Sequence, residues 1–291
     1  MTDPAPAGGR VVHAVLPGGV ADPTAPSGGN VYDLRVCRDL PALGWQVHRH
    51  PVPGGWPRPD AAATAGLARL LAGLPDGSVV LLDGLVACGV PDVLRPEAAR
   101  LRLAVLLHLP LADETGLAPQ AAAELDAAER RALHTVAAVI ATSGWAARRI
   151  RAHHGPGLPP VTVARPGTDP APLAPGTDGA GGLLCVASVT PRKGHRRLVD
   201  ALATVADAPW TCTFVGGTGH DPDGSVPGLL VPSDEPAALA GALRAWFGTP
   251  DLRRRLAVAA RARRAILEGW ETTSHSLAGA LERLRSGPLS P

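Results

Sequence analysis

The sequence predicts an α/β protein built on parallel β-structure, and three observations carry that expectation. Continuous apolar runs at 11–16, 79–82, 101–107 and 136–141 have the length of strands buried on both faces. Segments with apolar residues at helical spacing separate them, and Gly- or Pro-rich loops punctuate the joins. The chain has 291 residues, about twice the roughly 150 of an average domain, and 45% of them are apolar, enough for a real core.

The elements follow in order. After a short polar lead, residues 1–10, the strand 11–16 opens a loop at 17–29. Asn30 is then a candidate cap for a helix carrying Val31, Leu34, Cys37, Leu40 and Leu43 on one face, which Gly44 ends. An alternating strand at 45–52 and a helix at 61–71 lead through Pro75, Asp76 and Gly77 to the strand 79–82. The run 101–107 ends at His108, a helix at 121–135 precedes the strand 136–141, and Ser143 caps a helix through Ile150. A short strand at 161–164 closes this half. Residues 166–182 hold four prolines and no periodicity, as a linker would. Beyond them lie a strand at 183–189, a helix at 195–205, a strand at 211–215, a short strand at 229–231 and a helix at 235–247. A basic helix at 252–267 capped by Thr249 and a last helix at 272–285 complete the chain. About six strands precede the linker and three follow it, so the second half is small for a complete doubly wound domain.

Composition excludes several classes. No apolar run approaches the roughly 18 residues of a membrane span, and the lead lacks the apolar core of a secretory signal, so a cytoplasmic protein is expected. A net charge of +2, with one tyrosine and two phenylalanines, argues against nucleic acid as a partner. Cys37, Cys88, Cys185 and Cys212 stand far apart with no Cys-x-x-Cys pair, as buried thiols rather than zinc or redox ligands.

Candidate chemistry gathers where strands end. Gly18, Gly19, Gly28 and Gly29 lie between the first strand and a helix start, where bare amides and the helix dipole can hold an anion, although the spacing is not that of a nicotinamide dinucleotide site. Lys193, the only lysine, follows Arg192 in a turn with Gly194, and two cations there suit a departing diphosphate. His108 and Asp83 each end a predicted strand, on comparable ledges. The adjacent His153 and His154 are expected in a loop, with no evident metal partners. Arg253, Arg254, Arg255, Arg261, Arg263 and Arg264 make the penultimate helix basic, either a solvated face or one attracted to an anionic membrane.

Taken in order, Ser27-Gly28-Gly29-Asn30, His108, Pro166-Gly167-Thr168-Asp169, Pro191-Arg192-Lys193-Gly194, Gly228-Leu229-Leu230-Val231-Pro232 and Trp270 resemble glycosyltransferase family 4, the retaining GT-B enzymes that use nucleotide-diphosphate sugars. The resemblance implies two Rossmann-like parallel-sheet domains: an acceptor domain at 11–165, a linker at 166–182, a donor-binding domain at 183–268, and a helix at 269–291 crossing back. It implies donor contacts from Gly28, Gly29, Arg192, Lys193 and Gly194, His108 facing the transferred sugar as the catalytic residue, Asp83 and Asn30 in the acceptor region, and no bound metal or separate cofactor. Two departures stand out. Ser188 replaces an arginine common in such enzymes, and the family's paired glutamates are missing between Gly217 and Asp223. On the order of 80 to 100 residues would be absent there from a full-size domain, so the C-terminal domain reads as truncated. The implied partners are a nucleotide-sugar donor and an acceptor. A catalytically impaired relative acting as a binding protein is the alternative, and a homodimer is one remedy for the sheet edges such a truncation exposes.

Overall fold

A computed structural model describes residues 9–22, 27–114, 117–174, 176, 181–187, 193–215 and 235–287. The chain divides into two compact units, Met1–Asp169 with Glu268–Pro291, and Pro170–Leu267.

The first unit contains strands β1 (Val11–Pro17), β2 (Gln46–Val52), β3 (Val79–Asp83), β4 (Arg102–Leu107), β5 (Ala138–Ala141) and β6 (Val161–Val163). Its helices are α1 (Gly28–Asp39), α2 (Ala61–Ala72), the short α3 (Gly84–Cys88) and α4 (Pro91–Leu94), α5 (Pro119–Thr135) and α6 (Gly144–His154). The strands form one parallel sheet in the order β2-β1-β3-β4-β5-β6. Every residue of β3 is buried, which explains its unbroken apolar run: both faces are covered.

Side-chain alternation divides the core. Val80, Leu82, Leu103, Val105 and Leu107 point to the layer built by α2 to α6, where Leu67, Leu71, Leu133 and Ile150 are fully buried. Val79, Leu81, Ala104 and Leu106 point to the opposite layer, covered by Tyr32 and Val36 of α1 and by Leu40 in the turn that follows it. The last helix, α10 (Trp270–Ser286), lies on that same face with Leu277, Ala280, Leu281 and Leu284. Each fully buried leucine contributes roughly 1.5–3 kcal/mol by leaving water. Polar clamps fix α10: Thr273 Oγ1 donates to the Arg165 carbonyl at 2.5 Å, and Arg102 donates to the Leu284 carbonyl at 3.0 Å.

The second unit has β7 (Gly182–Val186) paired in parallel with β8 (Thr211–Val215), and helices α7 (His195–Ala203), α8 (Pro236–Gly248) and α9 (Pro250–Ala265). Its core is small, centred on Ala201, Leu202, Val205 and Ala240. Helix α9 buries no residue. The lead 1–8 and the predicted strand 229–231 lie outside the described residues, as do the junction Gly217 to Asp223 and Ser188.

Several expectations are corrected. Asn30 does not cap α1: the helix starts at Gly28 with Ser27 at the cap position, and Asn30 sits in the first turn. The face of α1 is also shifted. Tyr32, Asp33, Val36 and Cys37 are buried, while Val31 points to solvent, because the sheet accepts a phenol and a carboxylate as readily as aliphatics when both are hydrogen-bonded. His153 and His154 are not in a loop but form the last turn of α6, which runs four residues past Ile150 to a stop at Gly155. Thr249 occupies the cap position of α9 without a side-chain capping bond, the helix starting instead on Pro250. Ser143 does cap α6, its Oγ accepting from the Ala146 amide at 3.0 Å. The arginines of α9 are partly engaged: Arg253 donates to the Trp246 and Phe247 carbonyls, and Arg254 pairs with Asp251.

Candidate functional site

The strand order turns back between β1 and β3, since β1 is followed outward by β2 on one side while β3 and its successors extend on the other. In open parallel sheets that reversal splays the loops beyond the strand carboxyl ends and leaves a crevice. Three elements deliver side chains there. Asp83 is the last residue of β3, His108 directly follows β4, and α1 begins after the β1 loop. Asp83 is fixed by its own backbone turn, Oδ1 accepting from the Leu85 amide at 2.6 Å.

These positions bring together Gly29, Asp83 and His108, and add Asp33 from the second turn of α1. His108 Nε2 donates to Asp33 Oδ1 at 2.8 Å and lies 3.6 Å from Asp83 Oδ2. Asp33 is completely buried, so its carboxyl group meets these side chains in place of water. Gly29 lies against the ring: a Cβ there would come within 3.2 Å of His108 Cδ2. Tyr32 packs edge-on to His108 with centroids 5.2 Å apart, and its hydroxyl donates to the Ala164 carbonyl at 2.9 Å. Gly28 is open, with nothing near the place of a Cβ, and Asn30 is half-buried on the same turn.

Electrostatics follows from the burial. Desolvation drives Asp83 from its ordinary 3.8 up to about 7; the charge of Asp33 and a hydrogen bond shared with it act the same way, while His108 and the Leu85 amide oppose them. For His108, burial works against the imidazolium, but the hydrogen bond and charge of Asp33, with the charge of Asp83, outweigh it and raise the pKa. Asp83 thus keeps its proton further towards neutral pH than an ordinary carboxyl, and His108 holds its own more firmly than a free imidazole. Such a group can donate a proton or a hydrogen bond at the strand ends without an external acid. Burial also raises Tyr32, and pushes the Cys37 thiol up to about 12, which makes it inert. The ligand atoms of Asp33, Asp83 and His108 lie within 4.8 Å of one another, so the set could hold a cation, in competition with the protons it retains.

Beside this cluster the start of α10 meets α1. Tyr32 lies edge-on to Trp270 at 5.7 Å, and Arg35 stacks over the Trp270 ring at 5.3 Å while pairing with Asp169. Gly167 passes so close to α10 that a Cβ would fall 2.2 Å from the Trp270 backbone nitrogen; only glycine fits. The Thr168 amide donates to the Glu268 carbonyl at 2.9 Å.

In the second unit, Lys193 is half-buried and precedes Gly194, whose φ of +69° sets the entry to α7. Arg192 lies outside the described residues. Sequence reasoning missed Asp33 and Tyr32. The signal was present in the i, i+4, i+8 stripe Tyr32, Val36, Leu40, which puts Asp33 beside the core.

No protein-family model matches the chain, and no curated protein matches it by sequence. Among solved structures, sucrose-phosphate synthase from Thermosynechococcus elongatus is similar with a TM-score of 0.69 at 17% identity, over 94% of this chain and 99% of that one. The GtfA/B complex aligns with a TM-score of 0.52 at 11% identity, over 77% of this chain and 61% of that one. The Medicago truncatula enzyme UGT71G1, solved with UDP-glucose, gives 0.51 at 9% identity, over 96% and 99%. At such identities the likeness establishes the fold: α/β and GT-B-like, a six-stranded parallel sheet with a small second sheet. No helix among the described residues is long and apolar enough to cross a membrane.

Proposed function

We propose that this chain is a glycosyltransferase of the family 4 type, moving a sugar from a nucleotide-diphosphate donor to an acceptor with retention. The observation that carries the proposal is the cluster at the reversal of the parallel sheet. There the glycine-rich start of α1 lies against His108, itself held by two buried carboxylates. The GT-B-like fold supports it. In this reading Gly28 and Gly29 leave room for the donor's diphosphate or sugar. His108, oriented through Nε2 by Asp33, offers its other edge to the transferred sugar, and Asp83 and Asn30 border the acceptor. Lys193 and Gly194, with Arg192, neutralise the departing diphosphate at the start of α7. The attack takes place on the face the leaving group vacates, assisted by its phosphate, so no glycosidase-like nucleophile is required. The proposal places the protein in the cytoplasm, where its four unpaired cysteines stay reduced. The exposed arginines of α9 are then the surface an anionic membrane would meet.

A second reading, a catalytically impaired or non-catalytic relative with crippled donor binding that acts as a binding or partner protein, is favoured by one feature: only 20 residues, 216–235, join β8 to α8. Calorimetric titration with uridine and guanosine diphosphates separates the two. Binding that weakens at least tenfold in Lys193→Ala, with sugar released from a matching donor, supports the transferase. No binding of either nucleotide by the folded chain overturns it in favour of the second reading.

A further inference from the structure

Helices α5 and α6 bring a second ionisable cluster together, sharing no residue with the strand-end site. Asp126 and Glu129 lie three residues apart on one face of α5, and His153 and His154 form the last turn of α6. His153 Nε2 bonds Asp126 Oδ1 at 2.5 Å. His154 is 1% exposed, and its Nε2 donates to Glu129 Oε1 at 2.8 Å; Glu129 Oε2 in turn accepts from the Leu111 amide at 2.7 Å.

That hydrogen bond fixes the tautomer of His154. With the proton on Nε2, Nδ1 carries the lone pair, and Nδ1 is buried with no hydrogen-bond partner. An unsatisfied buried acceptor costs about 1–3 kcal/mol, so its retention calls for a reason. The cluster offers one: Asp126, His153 and His154 each present a ligand atom, and the three atoms are all within 4.8 Å of one another. A tetrahedral ion at ordinary zinc distances needs ligand atoms about 3.3 Å apart. Asp126 and His153 are each one-third exposed and free to turn by that difference, whereas His154 is locked.

We propose that Asp126, His153 and His154 form a binding site for a divalent transition-metal ion of the zinc class, with Glu129 as the carboxylate that orients His154. Two imidazoles and one carboxylate select such an ion over magnesium or calcium, which prefer all-oxygen shells. The Glu129–His154 bond is the outer-shell partner that metal-ligating histidines commonly have. The carboxyl end of α6 adds the negative end of its dipole. Arg149, whose charge is felt at Asp126 and Glu129, is tied to Asp113 at 2.7 Å. A closed coordination here would join α5 to α6 and stabilise the first unit.

The test uses the full, tag-free chain with zinc chloride as the probe. Calorimetry is expected to show one tight site, weakened at least tenfold in both His153→Asn and Asp126→Asn. Zinc X-ray absorption on the unaltered protein is expected to show two imidazoles, oxygen ligands and no sulfur. No binding, affinity unchanged in both variants, a single imidazole (the strand-end cluster) or a sulfur ligand (a cysteine) each overturns the proposal. The absorption measurement decides the matter even if a variant fails to fold, and neither readout depends on transferase activity.

Discussion

Replacing Asp83 by asparagine isolates the charge that the strand-end cluster holds out of water. Asparagine keeps the shape and the acceptor for the Leu85 amide, 2.6 Å away, but cannot ionise. Asp83 is held at about 7 against an ordinary 3.8, so in the folded state it keeps its proton across a window where the unfolded chain has lost it. The folded state then binds more protons than the unfolded one, and stability falls as pH rises from about 4 to about 7. The whole displacement corresponds to about 4 kcal/mol, of which about 2 falls between pH 5 and pH 7. His108 acts in the same sense, since its raised pKa contributes stability that is lost as pH climbs through it. Urea melts of the parent and Asp83→Asn at pH 5, 6, 7 and 8 read the difference directly. The variant is expected to match the parent near pH 5 only after allowance for a constant offset, and to gain on it by about 3 kcal/mol towards pH 8. Parallel curves, offset by the same amount at every pH, would refute the account of Asp83 as a buried carboxyl that titrates near neutrality.

Two further substitutions test neighbouring claims. Gly29→Ala places a methyl 3.2 Å from His108 Cδ2, so the ring must yield by a few tenths of an ångström; donor turnover should drop about tenfold while the melting temperature stays nearly constant. Leu281→Ala in α10 empties a fully buried position against the sheet, and urea unfolding should show a loss of about 2–5 kcal/mol. A loss below 1 kcal/mol would mean that α10 does not hold the first unit together.

What the sequence disclosed follows from how each element is buried. The strands β3 and β4 are covered on both faces, so Val79 to Leu82 and Leu103 to Leu107 could hardly be anything else. Helices α3 and α4, of five and four residues, are too short for any periodicity to register and went unseen. The site was half legible. Asp83 and His108 stand at strand ends, where position alone marks them. Asp33 was hidden because an acid inside a helix looks like a solvent-facing residue until the burial of Tyr32 and Val36 is known. His154 was hidden for a related reason. The polar run after Ile150 reads as a helix end, and only the fold brings Glu129, 25 positions earlier in the chain, to its ring.

The placement of α10 has a consequence for biosynthesis. The first unit borrows its last layer from residues 270–286, which leave the ribosome only after the whole intervening unit has been made. Until then Leu81, Ala104 and Leu106 lack part of their cover, and the nascent amino-terminal half remains an unfinished, sticky intermediate that chaperones would recognise. Translation must pass the codons of α10 before the earliest-made strands are sealed.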